Sequence, residues 1–238
     1  MSRVEGRGTV PLTDPSPFRT TRPRDLSPRE RYQLLTSLVV PRPIGWISTR
    51  SPEGVANLSP FSYFAALSSN PLLVGVSIGL RRGEPKDTLR NIRDTGAFCV
   101  NVVSEDLLEK MNASSGEYPP EVDELDLVGL TPVPGEEVDA PWVREAPAAL
   151  ECTLFREVEL GEAPNVLVLG EVKAVHLSRA LELVPGTWAV QPGSLRPVGR
   201  LGGDRYALLG EVREIPRPSP IPRDPRAGIG PRPLTPGP

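Results

Sequence analysis

One histidine and two cysteines in 238 residues leave this chain short of the usual soft metal ligands. An ordinary structural zinc site built within one chain is therefore excluded. Cys99 and Cys152 lie far apart, each inside an apolar stretch, and read as buried free thiols in a reducing cytosol rather than as a disulfide. Aromatic residues are scarce at 5%, and the net charge of −3 is small and negative. Both argue against a nucleic-acid-binding surface. No uninterrupted apolar run approaches membrane-spanning length, and the opening MSRVEGRGTVPLTD lacks the apolar core of a signal peptide. The expected setting is soluble and cytoplasmic, with neither a nucleic acid nor a membrane as partner.

Proline is abundant, with 30 residues crowded toward the two ends. Residues 1–26, broken by Pro11, Pro15, Pro17 and Pro23, read as an extended or disordered arm. Residues 213–238, where Pro216, Pro218, Pro220 and Pro222 alternate, read as an extended tail near polyproline II that cannot form a core. The domain lies between them, over residues 27–212.

Within the domain, Ser27, Pro28 and Glu30 have the spacing of a capping box. They open a helix over 28–38 that puts Tyr32, Leu35 and Leu38 on one face. A strand over 39–50 ends in Ser51-Pro52-Glu53-Gly54, a tight turn into a second strand, so a hairpin is predicted. Residues 57–70 do not alternate cleanly and suggest a strand dissolving into an irregular loop. Strands follow over 71–80 and 97–103, the latter after a helix capped by Asp87 or Thr88 and stopped by Gly96. Ser104 caps a short helix with Leu107, Leu108 and Met111 inward. The acidic, loop-rich stretch 113–149 reads as a lid, a dimer contact or a mobile segment. Three more strands are expected over 149–160, 165–177 and 195–209. About seven strands joined mostly by turns predict a mainly β, antiparallel barrel with a few short helices.

Three short segments carry chemistry. Lys86-Asp87-Thr88 opens a helix, and a helix N-terminus with a nearby cation and hydroxyl suits phosphate; Arg81 and Arg82 stand just upstream. Taken alone, the tripeptide also reads as a simple cap with a solvated lysine. Trp46-Ile47-Ser48-Thr49 alternates across a strand, with Ser48 and Thr49 able to donate to a phosphate or a ring carbonyl, or equally to serve as ordinary strand formers. In Asn57-Leu58-Ser59-Pro60-Phe61-Ser62 the proline frees backbone groups to face a planar heterocycle, although an edge turn would use the same residues.

These segments occur in an order that resembles the flavin reductase-like, or flavoredoxin-like, family. The resemblance rests on Arg42-Pro43-Ile44-Gly45-Trp46-Ile47-Ser48-Thr49, Asn57 to Ser62, Asn70-Pro71, Lys86-Asp87-Thr88, Gly170-Glu171-Val172 and Arg200 to Tyr206. It implies an FMN-binding split barrel working as a homodimer, with flavin at the subunit interface. It further implies a phosphate shell of Ser48, Thr49, Lys86 and Thr88, with Arg82 and Asp87 adjoining. The ring and ribityl shell would be Asn57, Leu58, Ser59, Pro60, Phe61 and Ser62, with Ser77 on the facing strand and Trp46 and Ile47 alongside.

The implied activity is flavin-linked electron transfer, with NADH, NADPH or a redox protein as donor. The cofactor would supply the chemistry, so no catalytic triad is expected. Relatives that reduce free flavin often carry a histidine just before the Gly-x-Val strand, where this chain has Ala163-Pro164-Asn165-Val166. The pattern therefore leans to the flavoredoxin-like branch, an electron carrier with bound FMN. A barrel without flavin, acting as an interaction module, is the remaining alternative. His176 reads as a satisfied barrel or interface residue, and Arg200 and Tyr206 either approach the flavin or a second substrate or flank a structural turn.

Overall fold

The computed structural model describes residues 17–161, 165–216 and 218. Its centre is a seven-stranded antiparallel sheet made of β1 (Gly45–Arg50), β2 (Ala56–Phe61), β3 (Phe64–Ser69), β4 (Leu72–Ile78), β5 (Ala97–Val102), β6 (Ala148–Leu160) and β7 (Asn165–Leu177). Their spatial order is β2-β1-β5-β6-β7-β4-β3. The two edge strands, β2 and β3, are consecutive in the chain and joined only by Ser62 and Tyr63. The sheet therefore curls until its edges approach, which gives an antiparallel split barrel, as predicted.

Strand alternation divides the core in two. Ile47, Val76, Phe98 and Val168 fill one cluster, which also takes Leu89 and Ile92 from helix α2 (Asp87–Thr95). Trp46 and Leu58 point the other way, against Met111 of α3 (Leu108–Ala113) and Leu125 of α4 (Glu124–Leu127). Gly170 on β7 is required by the packing: a Cβ there would overlap the Phe98 ring. Cys99 and Cys152 are buried free thiols, and burial pushes the Cys152 thiol up to about 12.

Helix α1 spans Pro28–Leu38 with the full Ser27–Glu30 capping box. Its apolar face is turned outward: Tyr32, Leu35 and Leu38 are 59%, 51% and 71% exposed, while Thr36 is the buried residue. Arg42 ties this helix down. Its guanidinium is buried and donates to the Thr36 and Val39 carbonyls at the helix end, and to the Leu201 carbonyl.

Several expected elements differ. The strand over 39–50 is interrupted, with Arg42–Pro43 leaving the main sheet to pair with Gly199–Arg200, which in turn pairs with Tyr206–Ala207. These short pieces are all that forms of the strand expected over 195–209. Residues 57–70 make two strands rather than a loop. Pro60 stays within β2 because β2 is an edge, where a missing N–H leaves no partner unsatisfied. Helix α2 is capped at Lys86, not at Asp87 or Thr88, and no side chain bonds to its first amides; Gly96 ends it at φ +70°. Of the expected arm and tail, residues 1–16, 217 and 219–238 lie outside the described residues. No helix among the described residues is long and apolar enough to cross a membrane.

Candidate functional site

Two groups of polar residues come from the segments singled out above, and they differ in what their polar atoms do. The first is a saturated network beneath the β1–β2 hairpin. Ser48 and Thr49 are fully buried, and Asn57 and Thr88 nearly so. Thr88 Oγ1 donates to Asn57 Oδ1 at 2.7 Å, and Asn91 Nδ2 donates to Thr49 Oγ1 at 3.0 Å. Asn57 Nδ2 donates to both oxygens of Glu124 at 3.1 Å, and the Leu58 N–H donates to Glu124 Oε2 at 3.0 Å. Ser48 Oγ donates to the Pro141 carbonyl and accepts from Asn101 Nδ2 at 2.9 Å. Burial pushes the Glu124 carboxyl up, against the pull of the Leu58 and Asn57 hydrogen bonds.

The hydroxyls of Ser48, Thr49 and Thr88 are thus directed at protein acceptors. Trp46, Ile47 and Leu58 are core residues, with Trp46 Nε1 donating to Ser114 Oγ at 2.9 Å. What this network does is fix the start of α2 against β1, β2 and α4. The segment 113–149, read from sequence as a lid or contact loop, supplies Ser114, Glu124 and Pro141 to it.

The second group is an under-neutralised cationic cluster. A two-residue turn, Arg82-Gly83, joins Leu80–Arg81 to Glu84–Pro85 with φ of +53° and +90°. Gly83 takes this region freely, whereas Arg82 holds it at a cost and keeps its side chain outward. Lys86 follows, half-buried, with Nζ 5.5 Å from the centroid of the Phe61 ring. Glu117 is the carboxylate among these cations, 3.9 Å from Arg81 and 3.7 Å from Arg82, and it is itself largely exposed. Burial, and then Arg81, push the Lys86 ammonium down from its ordinary value, while Glu117 pulls it up. A cation in this state gains when an anion arrives. The uncapped amides at the start of α2 add donors and partial positive charge at the same point. Asp87 is turned aside to Arg90, with which it pairs.

Ser59, Pro60 and Ser62 are half-buried and Phe61 is buried, at the end of β2 and just beyond it. Ser77 is half-buried on β4, and its N–H donates to the Tyr63 carbonyl at 2.8 Å. Glu117 and Glu124 escaped the sequence reading; the only hint of them was the acidic character of their segment. His176 is satisfied, as expected: Nε2 lies 2.6 Å from Glu151 Oε1, and its ring stacks on Trp142 with centroids 4.5 Å apart.

The domain thus combines a split barrel, a saturated polar network and a cationic cluster beside the uncapped start of α2. The family model described as flavin reductase like domain matches residues 37–189. The chain belongs to this family. An uncharacterised protein of Halalkalibacterium halodurans is 39% identical over 202 residues, covering 83% of this chain and 95% of the relative. Nitrilotriacetate monooxygenase component B from Bacillus cereus superposes with a TM-score of 0.80 at 34% identity, covering 84% of this chain and 100% of that one. Pseudomonas fluorescens 2-nitrobenzoate 2-nitroreductase does so at 0.77 and 28%, covering 86% and 98%.

Proposed function

We propose that this protein is a homodimeric FMN-binding oxidoreductase that passes electrons from NADH, NADPH or a protein donor to an acceptor. The observation that carries the reading is the half-buried Lys86 beside the uncapped start of α2, with Arg81 and Arg82 close by. This donor set fits a flavin phosphate. Lys86 and Arg81 neutralise its charge, and the first amides of α2 orient it. The exposed guanidinium of Arg82 would draw anions toward this point. Phe61 and the backbone from Ser59 to Ser62 offer a flat apolar face and polar edge groups for a ring, with Ser77 opposite. Ser48, Thr49, Asn57 and Thr88 act as positioning residues that hold the α2 start in place.

Bound FMN would supply hydride and single-electron chemistry between the two substrates. The protein's share is to bind, orient and exclude water. A relative named as a monooxygenase component and another named as a nitroreductase support a reductase of this kind. The outward apolar face of α1 supports the homodimer, because Leu35 and Leu38 form an exposed apolar surface that a second subunit would cover. The two buried free thiols suit a reducing compartment, in line with a cytoplasmic setting.

The test is anaerobic addition of NADH or NADPH to FMN-loaded protein. Bleaching of the flavin band by either nucleotide is the expected result. A flavin that stays oxidised with both, but is reduced by a low-potential redox protein, assigns the electron-carrier role. A protein that takes up no flavin overturns the reading.

A further inference from the structure

A cavity borders Pro60-Phe61-Ser62, and its other walls have no role in the reading above. Its volume is about 280 Å³, and Phe61, Tyr32, Tyr206, Asn112 and Arg200 are among the side chains lining it. Ligand sites usually span about 300–1,000 Å³, so this one takes a single ring with a small substituent rather than a dinucleotide.

The cavity is built rather than incidental. Arg200 sits on the short strand that pairs with Arg42–Pro43, so buried Arg42 fixes its backbone. Arg42 also binds the Leu201 carbonyl, and its Nε reaches Ser62 Oγ at 3.5 Å, which joins both walls. The Arg200 guanidinium lies 4.5 Å from the Tyr206 ring centroid and bonds to the Tyr206 hydroxyl; Nη2 donates to the Gly203 carbonyl at 2.7 Å. Tyr206 in turn donates to Asn112 Oδ1 at 2.9 Å. These two bonds use two of the five N–H groups of a guanidinium. The carboxylate beside it, Asp204, stands 3.9 Å away on a fully exposed side chain, a weak partner that a better-placed anion displaces.

We propose that this cavity binds a small planar monocarboxylate, a single aromatic or conjugated ring carrying one carboxylate, as the second substrate of the flavin site. One guanidinium offset by one carboxylate suits a monoanion, not a phosphate dianion. The planar fork of arginine matches a carboxylate, and the aromatic walls match a ring. The role as second substrate rests on the flavin reading, because Pro60-Phe61-Ser62 are shared by both sites; binding itself does not.

The test titrates benzoate, and its neutral analogue benzamide, into flavin-free and FMN-loaded protein, followed by calorimetry and by ligand-observed NMR. Saturable benzoate binding in both forms is expected, with benzamide at least about 10-fold weaker. Arg200→Gln should abolish that preference while FMN affinity stays within about twofold. Asp204→Asn, on an exposed loop where folding is not at stake, should tighten benzoate about two- to fivefold. No saturable benzoate binding, equal affinity for benzamide, or competition between FMN and benzoate would each overturn the proposal. Benzoate binding to a protein that takes up no flavin would leave the cavity standing and remove only its redox role.

Discussion

The network around Asn57 and the cationic cluster around Lys86 meet in the tripeptide Lys86-Asp87-Thr88, and both are polar. In the network every donor named above ends on a protein acceptor. In the cationic cluster Arg81 and Arg82 share one exposed carboxylate, Lys86 stands beside them, and a helix start lacks a side-chain cap. Saturated polar groups in a low-dielectric interior hold structure, whereas under-neutralised charge beside a helix start is what an anion would relieve. Residue type alone does not separate the two roles; the count of partners does.

The largest expected effect would come from breaking the saturated side. Glu124→Ala leaves Asn57 Nδ2 and the Leu58 N–H buried without an acceptor. It should cost about 3 kcal/mol of unfolding free energy, read from denaturant midpoints. Glu124→Gln keeps an acceptor and should cost about 1 kcal/mol. Because the folded carboxyl titrates above its ordinary 4.5, the stability it contributes is fully present below that value and is lost as pH rises through the folded pKa. The deficit of Glu124→Gln should therefore shrink with rising pH, and a deficit that grows would refute the assignment.

How much of this the sequence carried depends on the range of the contacts. The capping box at Ser27, the Gly96 stop and the opposite facing of Trp46 and Ile47 are local, and all are present. The partners of Asn57 and Ser48 lie 67 and 93 residues away, at Glu124 and Pro141. Local pattern cannot announce these partners. The place of Lys86 at the helix start was legible because helix and lysine adjoin in the chain. Glu117, which reaches its cations from a distant loop, was not. The outward turn of α1 was equally hidden, since a stripe of Tyr32, Leu35 and Leu38 signals burial without saying against what.

Next in size is the cationic cluster. Lys86→Met should weaken FMN binding about 10- to 100-fold while thermal stability stays within a degree or two, the reverse of the Glu124 pattern. A variant that lost stability and flavin together would merge the two regions and break the comparison.

A third polar cluster sharpens it. Glu151, fully buried, accepts from the N–H groups of Glu136, Glu137 and Val138 and faces His176. Burial pushes its carboxyl up, but these hydrogen bonds outweigh that and hold it below the ordinary 4.5. Its contribution is present above that value and is lost as pH falls through the lower folded pKa. Glu151→Gln should therefore show its largest deficit at neutral pH and converge on the parent in acid, opposite in sign to Glu124→Gln.

The smallest effect belongs to Glu117. It is the exposed competitor for Arg81 and Arg82, so Glu117→Gln should tighten FMN about two- to fivefold, with the gain fading at high salt.

The most direct measurement is the visible spectrum of the purified protein after FMN is added and the excess is removed by gel filtration, with Lys86→Met run alongside. The account predicts a retained flavin band near one per chain in the parent, and its loss in a variant that keeps the parent's far-ultraviolet circular dichroism. A parent that emerges colourless, or a variant that retains flavin equally well, would contradict it.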